Sequence, residues 1–232
     1  LNIDFKSWQK IRKMRDDALE DDLFAIFDDS AYVPATLDYK GKNIKAKVRL
    51  KGALDDHWRH ENKWSFRVSV KDEDGIMGMR RFSIQHPWTR EYQYTPMIFS
   101  LARKLDIVAP RYNFANISIN GEPIGIMAIE EHFDKEILEQ QQRRFGGIFR
   151  NRSAKVSTNY PYYSAEGAVV SNSLNIPLRP VRIMQLLEDP LLNKQRELAI
   201  GLYRGVTQGT LKPSDILAVS YTHLTLPTTD RV

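Results

Sequence analysis

The sequence contains no cysteine. That excludes disulfides, thiolate metal sites and a cysteine nucleophile, and it leaves the compartment open. No apolar run reaches the roughly 18 residues of a membrane span. The opening residues Leu1-Asn2-Ile3-Asp4-Phe5 show neither an initiator methionine nor the basic stretch of a signal peptide, and they begin in mid-pattern, so the N-terminus reads as cut. Charge of one sign is only slightly in excess, at net +5 with a pI near 9.3. Such a balance suits an anionic partner (a nucleotide, a nucleic acid or a cell-wall polymer) without selecting one. No RNA- or DNA-binding motif is present, so nucleic acid is not an expected partner. Internal repeats and low-complexity tracts are also missing. What remains is an ordinary globular composition, 42% hydrophobic and 27% charged over 232 residues, which excludes disorder across most of the chain.

Periodicity supplies the elements. Phe5, Trp8, Ile11, Met14 and Ala18 recur at spacings of three and four, predicting a helix over residues 4–20. Residues 31–39 and 42–51 read as a hairpin turning at Lys40-Gly41. In its second strand Ile44, Ala46, Val48 and Leu50 share one face, and Lys45, Lys47, Arg49 and Lys51 share the other. Residues 63–71 repeat the pattern, with Trp64, Phe66, Val68 and Val70 opposite Lys63, Ser65, Arg67, Ser69 and Lys71. Paired, these strands would give a sheet with one apolar and one cationic face. The cationic face either holds phosphates through charge-assisted donors or is simply a solvated outer surface.

A short strand is expected at Arg81–Gln85. A helix follows over residues 95–105, where Met97, Ile98, Leu101, Ala102 and Leu105 form a stripe that reads as core packing. Strands at 112–119 and 124–130 meet across Asn120-Gly121, a hairpin signal because both residues tolerate positive φ. Helices are expected from Asp134 to Arg144, over 181–189 and over 193–208, with 151–180 a long loop or lid. The order is α+β rather than parallel α/β. Asp72-Glu73-Asp74-Gly75 reads as a solvated turn, since it lacks the ligand spacing of an EF-hand. Glu130-Glu131-His132 could suggest a metal, yet no second histidine follows at helical spacing.

The last fourteen residues, Val219 to Val232, break the helix that Pro213-Ser214-Asp215 should start. They resemble a translated sequencing adapter, and are read as an artefact appended to a chain whose natural sequence stops near Ala218.

Several stretches together resemble the spore-coat-protein-H (CotH) family. They are Lys47-Val48-Arg49-Leu50-Lys51-Gly52 followed by Lys63-Trp64-Ser65-Phe66-Arg67-Val68, then Gly78-Met79-Arg80-Arg81-Phe82-Ser83-Ile84-Gln85, then Ile119-Asn120-Gly121-Glu122 with Gly125-Ile126-Met127-Ala128-Ile129-Glu130-Glu131. Their order and spacing over residues 45–139 carry the resemblance. It implies a protein-kinase-like N-terminal lobe, an antiparallel sheet plus helices, with an incomplete helical C-terminal lobe. With the tail 219–232 set apart, the chain reads as an N-terminal helical segment 1–30, an antiparallel sheet lobe 31–133 and an incomplete helical lobe 134–218 that contains the loop 151–180. The resemblance also implies transfer of the ATP γ-phosphate to serine of a protein, with magnesium, at the bacterial envelope, the spore surface or outside the cell. Such chemistry needs cations on the phosphates and acidic residues for the metal.

On this resemblance the candidate nucleotide-binding residues are Arg49, Lys51, Gly52, Lys63, Arg67 and Glu130, with Lys63 the candidate phosphate-contacting lysine. Gly52 would let the backbone approach a phosphate, and Gly125 to Glu131 would form the last strand and the hinge over the adenine. Two departures stand out. Helix 95–105 has no acidic residue before its last turn to pair with a strand lysine, and Glu91 is the nearest. No Asn-x-Asp, Trp-Asp-Leu-Asp or Phe-Asp-Gly segment occurs in 134–218, so no catalytic or metal-binding residue is assigned and the chain is expected to be inactive. The competing readings are a non-catalytic scaffold coat protein and a surface polymer-binding module using aromatics such as Trp58, Trp88 and Tyr160 to Tyr163.

Overall fold

Two residue pairs with positive φ fold the sheet. Lys40 and Gly41, at φ 49° and 77°, form the two-residue turn between β1 (Val33–Tyr39) and β2 (Lys42–Leu50). Asn120 and Gly121, at 52° and 86°, do the same between β5 (Tyr112–Ile119) and β6 (Glu122–Glu131). Turns of this hand match the twist of the strands they join. With β3 (Phe66–Val70) and β4 (Arg81–Gln85) they build a six-stranded antiparallel sheet in the order β1-β2-β3-β4-β6-β5. The computed structural model of the chain describes residues 1–20, 25, 27–72, 74–143, 148–151, 178–180, 188–212 and 214–215. Leu1–Ile137 and Leu138–Val232 form separate compact units.

One face of the sheet carries the core of the first unit. Val48, Leu50, Phe66, Val68, Phe82, Ile84, Met127 and Ile129 are buried there, and each such side chain stabilises the fold by about 1.5–3 kcal/mol. Helix α1 (Phe5–Glu20) packs against this cluster. It begins at Asp4, whose carboxylate accepts from the Ser7 N–H at 3.0 Å and so satisfies one of the unpaired donors of the first turn. Ile11 is fully buried, Trp8 stacks on Trp64 at 5.1 Å, and Arg15 lies over the Trp64 ring.

Three expectations need correction. First, β3 begins at Phe66 rather than Lys63, because the Ser65 amide turns away to donate to the His57 carbonyl at 2.7 Å. Second, the helix after Asp134 is short. α3 spans Lys135–Gln140, and Gln142 adopts φ 55°, which ends helical propagation. Third, the apolar stripe of α2 (Tyr94–Lys104) is not core: Met97, Ile98, Leu101 and Leu105 are 45–69% exposed. The side of α2 facing the sheet runs instead through Phe99, whose ring meets Tyr112 edge-on, and Arg103, which donates to the Pro110 carbonyl at 2.5 Å. Periodicity locates an apolar stripe without saying what covers it.

In the second unit a short antiparallel pair, β7 (Phe149–Asn151) and β8 (Leu178–Pro180), was not expected, since three residues carry too little alternation to read. Helix α4 (Pro190–Thr207) starts earlier than its apolar spacing implies. Asp189 caps it by accepting from the amides of Leu191 and Leu192, and Pro190 occupies the first position, where a missing N–H costs nothing. Most of the helix expected over 181–189, most of loop 151–180 and the tail 219–232 lie outside the described residues. No helix among the described residues is long and apolar enough to cross a membrane.

Candidate functional site

The other face of the sheet is where the polar residues of alternating strands meet. Antiparallel register places Arg49 beside Arg67, Arg67 beside Ser83, Ser83 beside Glu130 and Glu130 beside Tyr112, in one row across five strands. One step along, Lys51 leaves the end of β2 with its amide bonded to the Ser65 carbonyl at 2.8 Å, and Gln85 closes β4.

This face was expected to be cationic, and part of it is buried. Lys51 is 7% exposed and Gln85 is fully buried. The Lys51 ammonium donates to Gln85 Oε1 and to Glu130 Oε2, the latter at 3.1 Å. Gln85 Nε2 donates to the same Glu130 oxygen at 2.5 Å. Arg90 completes the cluster with a two-pronged contact, Nε to Oε2 and Nη2 to Oε1, both at 3.1 Å. Glu130 therefore accepts from an ammonium, a carboxamide and a guanidinium together, the kind of charge-assisted set that makes a buried carboxylate tolerable.

Arg90 is delivered by a 3-10 turn at Pro87–Arg90. His86 caps this turn by accepting from the Trp88 amide at 3.0 Å. Beyond it Glu91 and Tyr92 both take positive φ, 52° and 55°, a strained pair that reverses the chain before α2.

Burial pushes the Lys51 ammonium down to about 8. Glu130 opposes that shift, and the neighbouring cations Arg90 and Arg67 reinforce it. Burial alone would raise Glu130, but Lys51 and Arg90 outweigh it and hold the carboxylate at about 2. His57 and His132 are both held at about 3, first by burial and then by nearby cations, Lys51 and Arg90 for His57 and Arg67 for His132. Both imidazoles are thus neutral. His132 Nδ1 accepts from Arg67 Nη1, since a guanidinium can only donate. At the rim, burial first and then Asp55 raise the Asp56 carboxyl.

The structure brings Lys51, Arg67 and Glu130 into one electrostatic cluster and directs the remaining candidates elsewhere. Arg49 lies over the Tyr32 ring and donates to the Leu50 carbonyl. Lys63 donates to the Ile126 carbonyl at 3.3 Å. Gly52, at φ 96°, has the His57 ring in the space that a Cβ would need. That imidazole is held by Ser65 Oγ at 3.0 Å. Glu91 is exposed, and the acidic partner of the buried lysine is Glu130, on a strand rather than a helix.

Glu130 and His132 share a face, whereas Glu131 points to the opposite one, where Arg111 grips it at 3.0 and 2.7 Å. The Glu-Glu-His run therefore cannot converge on one ion, and among the described residues no group of three His, Asp or Glu could hold a metal. Gln85 was legible as a polar residue on the alternating strand Arg81–Gln85. Arg90 carried no signal, because a 3-10 turn has no hydrophobic period to read.

Trp58 is fully buried, so it offers no polymer a surface, while Trp88 is 56% exposed. Tyr160, Tyr162 and Tyr163 lie outside the described residues. No curated protein matches the chain. The sequence model of the family described as CotH kinase protein matches residues 48–168, a stretch that contains Lys51, Gln85, Arg90 and Glu130 and covers more than half of the chain. The chain belongs to the CotH kinase protein family.

Proposed function

We propose that the unit Leu1–Ile137 is the nucleotide-holding lobe of an ATP-dependent protein kinase, and that the phosphate chain of ATP meets Lys51 and Arg90. The observation that carries this reading is the buried cluster: an ammonium and a guanidinium share one carboxylate, Glu130, with a second guanidinium, Arg67, within electrostatic reach. An incoming phosphate would supply the negative charge this arrangement is short of, and charged N–H donors bind phosphate oxygens about twice as strongly as neutral ones. Lys63, the candidate on the family resemblance, gives way here to Lys51, because Lys51 is the lysine with an acidic partner in a buried setting. Phosphoryl transfer depends on positioning and on neutralising the developing charge, and Lys51 and Arg90 would contribute both. Magnesium would supply the remaining charge, but the described residues offer no acidic set for it, and no step is assigned to it.

In this reading the full protein phosphorylates serine in a coat or envelope protein at the cell envelope or spore surface. The chain itself transfers nothing, because 134–218 contains no catalytic aspartate segment and Asp189 is used as a helix cap. Calorimetric titration with ATP and with adenosine tests the proposal. ATP should bind at least tenfold more tightly than adenosine, and Lys51→Met should remove that preference while the melting transition survives. Equal binding of the two ligands, or an undiminished preference in the variant, refutes it. Incubation with ATP, magnesium and a serine-rich acceptor should give no phosphoprotein; any turnover contradicts the inactive assignment.

A further inference from the structure

We propose that Gln85 is a positioning residue, whose carboxamide fixes the Lys51 ammonium against Glu130 so that its remaining N–H is aimed at an anionic ligand. The proposal rests on the nucleotide-phosphate reading above, but it concerns a residue that reading does not use.

Gln85 is fully buried at the end of β4, which lies next to β6 with Glu130 and is separated by β3 from β2, the strand that leads into Lys51. Burying a carboxamide is costly unless both of its ends are bonded, and here both are. Oε1 accepts from Lys51 Nζ, and Nε2 donates to Glu130 Oε2 at 2.5 Å. Chemistry fixes the orientation, since an ammonium has only hydrogens to offer and a carboxylate only lone pairs. A flipped amide would set N–H against N–H and oxygen against oxygen. An ammonium carries three N–H groups. Gln85 and Glu130 take two of them, and the third has no partner among the described contacts of Lys51. With two bonds fixed, its direction is fixed as well. Gln85 also lets Lys51 and Glu130 interact without adding charge: a glutamate there would place a second carboxylate against Glu130, and a hydrophobe would leave the ammonium one acceptor short.

The test is an NMR titration of the whole chain labelled with 13C at lysine Cε. The Lys51 resonance is assigned by its loss in Lys51→Met, and its midpoint is read in wild type, Gln85→Met and Gln85→Glu. Gln85→Met should lower the midpoint by about one pH unit or more, and Gln85→Glu should raise it by a similar amount. A residue that merely fills space would lower the melting temperature and leave the midpoint in place, so an unmoved midpoint in a folded variant overturns the proposal. If Gln85→Met fails to fold, Gln85→Asn, which keeps the carboxamide but withdraws it from the ammonium without adding charge, should lower the midpoint in the same direction, and an unmoved midpoint there overturns the proposal. A parallel titration of wild type with ATP separates the two ideas. ATP should raise the Lys51 midpoint. If it leaves the midpoint unchanged while the variants shift as stated, the phosphate reading fails, and with it the ligand half of the proposal; the coupling of Gln85 to Lys51 stands on its own result.

Discussion

Removing the charge of Glu130 should damage this protein far more than removing that of Lys51. The Lys51 ammonium falls from 10.5 to about 8 on folding, so keeping it charged at pH 7 costs roughly 3 kcal/mol, at 1.36 kcal/mol per unit. Below pH 8 that cost is present in full, and it is relieved between pH 8 and 10.5, where the unfolded chain binds the extra proton. Glu130 falls from 4.5 to about 2, a contribution of similar size that is complete above pH 4.5 and lost between 4.5 and 2. The two effects share one attraction and are not independent, but their signs differ. Lys51→Met removes a buried charge and leaves Glu130 bonded to Arg90 and Gln85, so it should change stability by less than about 1 kcal/mol at pH 7. Glu130→Gln strands a buried ammonium beside a guanidinium and should cost about 3–5 kcal/mol. Urea denaturation at pH 7 with a common slope for all three proteins measures both. Equal losses for the two variants, or a loss under about 1 kcal/mol for Glu130→Gln, would refute the reasoning.

Other outcomes follow from the same contacts. His57 and His132 are held at about 3 against 6.5 when unfolded, so their contribution is complete above pH 6.5 and is lost as pH falls toward 3; stability should drop by about 1.4 kcal/mol per pH unit for each histidine below 6.5, and a melting temperature that is flat from pH 7 to 5 contradicts this. Gly52→Ala should destabilise by more than about 1 kcal/mol in chemical denaturation, because φ is 96° and the His57 ring fills the space of the new methyl group; an unchanged midpoint would show that the loop yields freely. Trp58→Ala should cost about 3–5 kcal/mol, whereas Trp88→Ala should stay within about 0.5, and comparable losses would place Trp88 in the core instead of at the surface.

Strong short-range signals in the sequence carried over directly. Alternation placed Val48 and Leu50 opposite Arg49 and Lys51, and the two turn pairs at Lys40-Gly41 and Asn120-Gly121 set both hairpins. Short-range pattern says nothing about which strands adjoin, and the meeting of Lys51 with Glu130 is a consequence of strand order: β4, carrying Gln85, lies between β3 and β6. The family resemblance put Lys63 forward alongside Lys51, and no short-range pattern separates them: the difference is that Lys51 is buried against Glu130 while Lys63 lies before the start of β3. The stripe of α2 misled because amphipathicity was equated with burial. Arg90 and His57 come from 3-10 turns, whose short length leaves no periodic trace.

In the proposed function the cluster around Glu130 receives the phosphates of ATP. Determining the structure of the chain with ATP bound tests it most directly. Phosphate oxygens within hydrogen-bonding distance of Lys51 Nζ or the Arg90 guanidinium are the predicted result; a triphosphate held instead by Lys63 or Arg49, with the Lys51–Gln85–Glu130 contacts untouched, would contradict it.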